Sequence, residues 1–130
     1  MARIRTVVLV AALVVLAASC GGGRSHGEVI GRLTREYQKL TEYLRLVESQ
    51  DEARRILPHV RTAVSKVVDL TEELESLDAP SAEEEEGVAE MRTQLDSARK
   101  ACRNEVRRAF RIEGVPEVLA CVKDLPGETE

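Results

Sequence analysis

The chain is expected to fold as an all-α protein, an antiparallel three-helix bundle with a short fourth helix, preceded by a signal peptide and a flexible tether. Three observations predict it. Apolar residues after position 28 recur at steps of three and four, no segment shows the strict alternation of a strand, and serines in capping positions mark the helix starts. At 130 residues, 43% apolar and 32% charged, the chain has room and material for one small core.

The first helix is read over residues 28–48, with Ile30, Leu33, Tyr37, Leu40, Leu44 and Val47 on one face. A second seam runs through Ala53, Ile56, Val60, Ala63, Val67, Leu70, Leu74 and Leu77. Continuing the first seam in phase would land on Asp51 and Arg54, so the seams cannot share one face of one helix. Ser49 followed by Glu52 has capping-box spacing and places the break there. Pro58 then falls inside the second helix, where a missing N–H and a ring clash predict a kink. A break at Pro58 itself is the other reading. The seam stays in phase across the proline, which favours the kink.

Asp78-Ala79-Pro80-Ser81 is a turn, and Ser81 with Glu84 repeats the capping spacing. Glutamates 83–86 set negative charge at the helix start, where the macrodipole favours it. The third seam comprises Val88, Met91, Leu95, Ala98 and Cys102, drifting to Val106, Ala109 and Phe110. Pro116 opens a short fourth helix carrying Val118, Cys121, Val122 and Leu125, ended by Pro126-Gly127. Short turns make consecutive helices antiparallel, in an up-down-up order.

The N-terminal segment has a different character. Arg3 and Arg5 precede an uninterrupted apolar run over residues 7–18, shorter than the ~20 residues a bilayer span needs. Leu16-Ala17-Ala18-Ser19-Cys20 resembles the lipobox of bacterial lipoproteins, in which small residues precede an obligatory cysteine. The leucine lies one position further from the cysteine than in the commonest pattern, with Ala17 in its place. The resemblance implies a signal peptide over residues 1–19, cleavage before Cys20, and a diacylglyceryl group with palmitate-type chains on the Cys20 thiol. Two acyl chains on one residue suffice as an anchor, at about 0.8 kcal/mol per buried methylene. The implied location is extracytoplasmic, lipid-anchored to the cell membrane or outer membrane. Losing Arg3 and Arg5 would leave 17 basic against 23 acidic side chains in a mature chain of 111 residues.

Residues 20–27 are then the lipidated cysteine and a glycine-rich tether, in which His26 is read as a solvated residue, and residues 28–126 are the bundle domain. The turn Leu77-Asp78-Ala79-Pro80 is similar to the inter-helix turns of small helical bacterial lipoproteins, a likeness that implies a fold and no activity.

With Cys20 consumed, Cys102 and Cys121 form an even pair in an oxidising compartment and are expected to be disulfide-bonded. The alternative is two free thiols used as small hydrophobes. A bridge needs Cα atoms within about 7 Å, which demands a loose 111–115 loop or a tilted fourth helix; closing it would contribute about 3 kcal/mol. The absence of a Cys-X-X-Cys motif argues against catalytic thiol exchange.

No metal or cofactor is expected. Only His26 and His59 are present, and the one haem-like combination, His59 with Met91, lacks a Cys-X-X-Cys-His attachment motif. No catalytic triad and no phosphate-binding glycine loop stands out, so the chain is not read as an enzyme. An acidic balance and three aromatic residues argue against nucleic-acid binding.

The one distinctive charge feature is a basic cluster at the end of the third helix. Arg99, Lys100, Arg103, Arg107, Arg108 and Arg111 face a single acid, Glu105. These cations either complement the helix dipole and pair with neighbouring acids, or form a docking patch for an anionic envelope protein or polymer. The tether would put the start of the first helix near the membrane and the basic cluster at the far end. Two functions follow as expectations: a membrane-tethered binding or scaffolding module, or a carrier holding a hydrophobic ligand or cofactor inside the bundle. An apolar cavity of about 300 Å³ or more would mark the carrier.

Overall fold

The computed structural model describes residues 24–127, so the signal segment, Cys20 and Gly21-Gly22-Gly23 lie outside the described residues. Within them the protein is all-helical. Helix α1 spans His26–Arg45, α2 Gln50–Ser76 and α3 Ala82–Ala109; a single turn, α4 (Val115–Val118), leads into a 3-10 helix over Ala120–Asp124.

Each long helix starts on a serine. The amide N–H groups of Glu28, Glu52 and Glu84 donate to Ser25 Oγ at 3.3 Å, Ser49 Oγ at 3.3 Å and Ser81 Oγ at 3.2 Å. The two capping serines expected from spacing are therefore in place. Ser25 is a third, and it starts α1 at His26, two residues inside the segment read as tether. His26 is correspondingly not a solvated tether residue. Its side chain is 12% exposed, with Nδ1 3.6 Å from Glu84 Oε2 at the start of α3. Helix α2 continues through Pro58 without ending, as the unbroken phase of its seam required.

The helices run up-down-up. Arg24 Nε lies 3.4 Å from Glu73 Oε1, so the start of α1 meets the end of α2. His26 meets Glu84 at one end of α1, and Arg45 Nε lies 3.7 Å from Glu105 Oε1 at the other, so α1 and α3 are parallel. Helix α1 is the middle element. It packs along both α2 and α3, which touch each other far less. Its buried stripe is wide for that reason: Val29, Leu33 and Leu40 lie beside Ile30, Tyr37, Thr41 and Leu44.

After α3 the chain turns at Gly114, whose φ of +82° suits glycine alone and whose missing Cβ makes room for the Gln50 side chain. This close approach sets the C-terminal segment against the start of α2. From there α4 and the 3-10 helix pack on α2, burying Val115, Leu119, Val122 and Leu125. The fourth helix expected as one element is thus a turn of α-helix and a 3-10 turn joined at Leu119. Tighter winding there lets Leu119, Val122 and Leu125 recur every three residues on one face.

The disulfide expectation is corrected here: Cys102 and Cys121 are not bridged. Cys102 is 1% exposed on the inner face of α3. Cys121 instead borders a groove against Arg61, Val64 and Val68 of α2. The C-terminal segment crosses to α2 rather than folding back along α3, so the two sulfurs serve different interfaces.

Candidate functional site

The basic cluster at the end of α3 divides into residues that the fold uses and residues that it leaves outward. Arg108 belongs to the first group. Its Nη1 donates to the Val47 carbonyl at 3.0 Å and its Nη2 to the Leu44 carbonyl at 2.7 Å, while Nε donates to Glu105 Oε2 at 2.8 Å. One guanidinium thereby caps the carbonyl end of α1, adding to the Val47 N–H that donates to the Leu44 carbonyl at 3.1 Å. Glu105 holds it in place and sits opposite Arg45 as well. A planar fork can reach two carbonyls and a carboxylate together; an ammonium group has no such geometry.

Arg99 is also engaged. Its guanidinium carbon lies 5.7 Å from the centre of the Tyr37 ring, and Nη1 is 3.8 Å from Asp96 Oδ1. Arg103 is exposed and has an interaction within the protein. Lys100, Arg107 and Arg111 are exposed and have no ion-pair partner among the described residues. The outward, unpaired part of the cluster is therefore narrower than its six residues. It centres on Lys100, Arg107 and Arg111, beside Arg103, and lies at the end of the bundle opposite the start of α1.

A second concentration of cations was not legible from any single run of sequence. A groove of about 470 Å³ lies between α1 and α2, bordered by Arg24, Arg32, Arg35, Lys39 and Lys66, with Glu36, Asp69, Leu70 and Glu73. Arg32, Arg35 and Lys39 follow one another at steps of three and four along the outer flank of the first apolar seam. Lys66 joins them only through the pairing of α1 with α2. The periodicity was the available signal, but it lacks the sequence clustering seen at the end of α3.

The other grooves differ in chemistry. Between α1 and α3 the lining is mainly neutral, with Glu42 and Arg45 beside Gln38, Thr41 and Gln94. Beside the 3-10 helix, Arg61 stands against Asp69 and Asp124. All three grooves open to solvent and carry polar rims. The helix seams beneath them are closed by buried aliphatic side chains.

Of the residues weighed for cofactor chemistry, His59 stacks on Tyr43 with ring centres 4.9 Å apart. Met91 covers Gly27 and Gly31, about 18–24 Å away from Tyr43 along α1 at 1.5 Å rise per residue. The fold does not bring this pair together. Among the described residues no group of three or more His, Cys, Asp or Glu converges as a metal site, and no helix is long and apolar enough to cross a membrane.

Burial pushes the Cys121 thiol above its ordinary pKa; Arg61 pulls it down and Asp124 raises it further. A thiol held protonated in this way is a poor nucleophile at neutral pH.

Compared with protein-family models, curated proteins and solved structures, the chain finds no significant match.

Proposed function

We propose that the protein is a lipid-anchored, extracytoplasmic helical module that binds or scaffolds an anionic component of the cell envelope. The anchor is the diacylglyceryl group that the lipobox resemblance implies at Cys20, which lies outside the described residues. The observation that carries the binding reading is the outward trio Lys100, Arg107 and Arg111, which the bundle does not neutralise although the chain is acidic as a whole. A protein with 23 acids and 19 bases has ample carboxylate to pair three cations internally. Leaving them outward at one end makes a local positive surface, suited to a polyanionic polymer or an acidic protein face.

The packing supports a scaffold over a carrier. A hydrophobic ligand needs an apolar chamber between helices, whereas Leu33, Leu40, Leu44 and Val67 are fully buried against neighbours, and the grooves above them are open and rimmed by polar and charged side chains. Helix α1 begins only a few residues after Cys20, so an anchored domain would stay near the lipid with the α3 end pointing away from it.

The test has two parts. Mass spectrometry of the protein from a lipoprotein-processing bacterium should show a mature chain starting at a diacylated Cys20; an unmodified Cys20 with residues 1–19 attached overturns the anchor. In-cell crosslinking from position 104, where exposed Asn104 lies one turn before Arg107, should capture an acidic partner or polymer, and Lys100→Glu/Arg107→Glu/Arg111→Glu should abolish the capture. Capture unaffected by charge reversal overturns the docking role.

A further inference from the structure

The groove between α1 and α2 is a different surface from the end of α3, and its charge is unevenly paired. Two of its acids are engaged at close range. Lys39 Nζ donates to Glu36 Oε1 at 3.3 Å, and Arg24 Nε lies 3.4 Å from Glu73 Oε1. Arg32, Arg35 and Lys66 remain, with no ion pair among the described residues, against the single carboxylate of Asp69.

These three cations converge at one level of the bundle. Arg32 and Arg35 are three residues apart and project from the same side of α1. The antiparallel pairing of α1 and α2 is fixed on both sides of them, by Arg24 with Glu73 and by Tyr43 stacked on His59. Between those contacts, the α2 residue opposite Arg32 and Arg35 is Lys66. Leu70, nearly buried, borders the same space.

We propose that this groove is a binding site for a phosphate-bearing anion, held by the guanidinium groups of Arg32 and Arg35 on one wall and the Lys66 ammonium on the other. The chemistry favours phosphate. The groove carries five cations and three carboxylates, a surplus that matches a doubly charged oxyanion. Two guanidinium forks can each engage a pair of oxygens, and a tetrahedral group presents oxygens to both walls at once. The groove is open along its length, so the rest of the ligand would extend into solvent. That suits a phosphate carried on a larger molecule, such as a lipid headgroup, as well as the free ion. Neither of the other two grooves has this surplus, which ties the inference to this place in the fold. It does not depend on the anchor at Cys20.

The test uses the full chain in neutral detergent micelles, followed by backbone amide NMR shifts. One arm adds inorganic phosphate; the other adds phosphatidylglycerol to the micelles, with zwitterionic phosphatidylcholine as the control. Saturable shifts confined to the 32–39 and 66–70 regions are expected in at least one arm. Saturation by inorganic phosphate assigns the free group as sufficient, and saturation by phosphatidylglycerol alone assigns a lipid source. Arg32→Gln/Arg35→Gln/Lys66→Gln should weaken binding about tenfold or more, since each charge-assisted contact is worth more than a neutral one. Arg32→Lys/Arg35→Lys, which keeps the charge and removes the forks, should fall between that variant and the parent protein. Lys100→Gln/Arg107→Gln/Arg111→Gln should leave the affinity within about twofold, being at a separate surface. The absence of saturable shifts in both arms overturns the proposal. So do shifts that persist in the groove variant, or that follow the α3 variant instead.

Discussion

The two ends of the bundle are held by different physics. At the far end, where α1 and α3 finish and α2 begins, Val47, Ala53, Ala109, Val115 and Leu119 are fully buried and Arg108 closes the end of α1 with two carbonyl contacts. At the near end, where α1 and α3 begin, Val29 and Ile30 of α1 are fully buried but Leu74, Leu77 and Met91 are only partly so, and the polar contacts between helices are Arg24 with Glu73 and the largely buried His26 with the exposed Glu84. Residues 81–87 are all exposed there. Apolar burial and desolvated hydrogen bonds stabilise far more than exposed ion pairs do. The far end should therefore be the rigid half of the molecule and the near end the half that opens first.

The largest effect expected on this account is at Leu119. Its side chain is 0% exposed and joins the C-terminal segment to the core. Leu119→Ala should destabilise the fold by about 2–5 kcal/mol, read from chemical denaturation, because a cavity forms in the apolar contact that holds the C-terminal segment on α2. Amide exchange should rise first in α4 and the 3-10 helix. A loss below about 1 kcal/mol would mean that the C-terminal segment is an appendage and that the contrast between the ends is misplaced.

Next comes Arg108. Arg108→Ala leaves the carbonyls of Leu44 and Val47 without these donors and Glu105 with Arg45 as its nearest partner. With the side chain 39% exposed, water recovers part of the loss, so about 1–2 kcal/mol is expected, and Arg108→Lys should restore little of it. The near-end control is Glu73→Gln, which removes the half-exposed Arg24 pair and should cost less than about 0.5 kcal/mol. Equal losses from the two changes would erase the distinction between the ends.

How much of this was legible beforehand depends on whether the determinant is local. The helix starts at Ser49 and Ser81 were readable because a cap is a short-range bond between residues three apart. Ser25 makes the same bond to Glu28 but sits in a glycine-rich stretch whose composition reads as tether, so α1 was expected to start too late. The role of Arg108 was not readable, since its partners are 61 and 64 residues away in sequence. It appeared instead as one member of a charge cluster. Lys66 joined Arg32 and Arg35 for the same reason, through helix pairing. Leu119 falls outside the apolar positions 118, 121, 122 and 125 read for a regular fourth helix, and it became core because the chain changes there from α to 3-10 winding. The cysteine pairing failed on a similar point: two residues that could bridge across an α3 hairpin are separated once the segment crosses to α2.

That separation gives the smallest effect, and it concerns reactivity more than stability. Cys102 is sealed in the rigid interface of α1 and α3, whereas Cys121 borders an open groove with its thiol pKa raised by burial. A thiol-alkylating reagent should therefore label Cys121 in the folded protein while Cys102 reacts only after unfolding, as read by peptide mass mapping. Because the thiolate is the reacting form, Cys121 labelling should accelerate at a higher pH in the folded chain than in the denatured one. The raised folded-state pKa favours the neutral thiol. Its contribution to stability is therefore complete below the unfolded-state pKa and fades as pH climbs through the folded-state value. Cys121→Ser, which keeps a small polar side chain without that titration, should flatten this alkaline slope. Labelling of Cys102 at a rate equal to that of Cys121 would show that the α1–α3 interface opens as readily as the groove, and the contrast between a sealed interior and a permissive surface would fail at its most sensitive point.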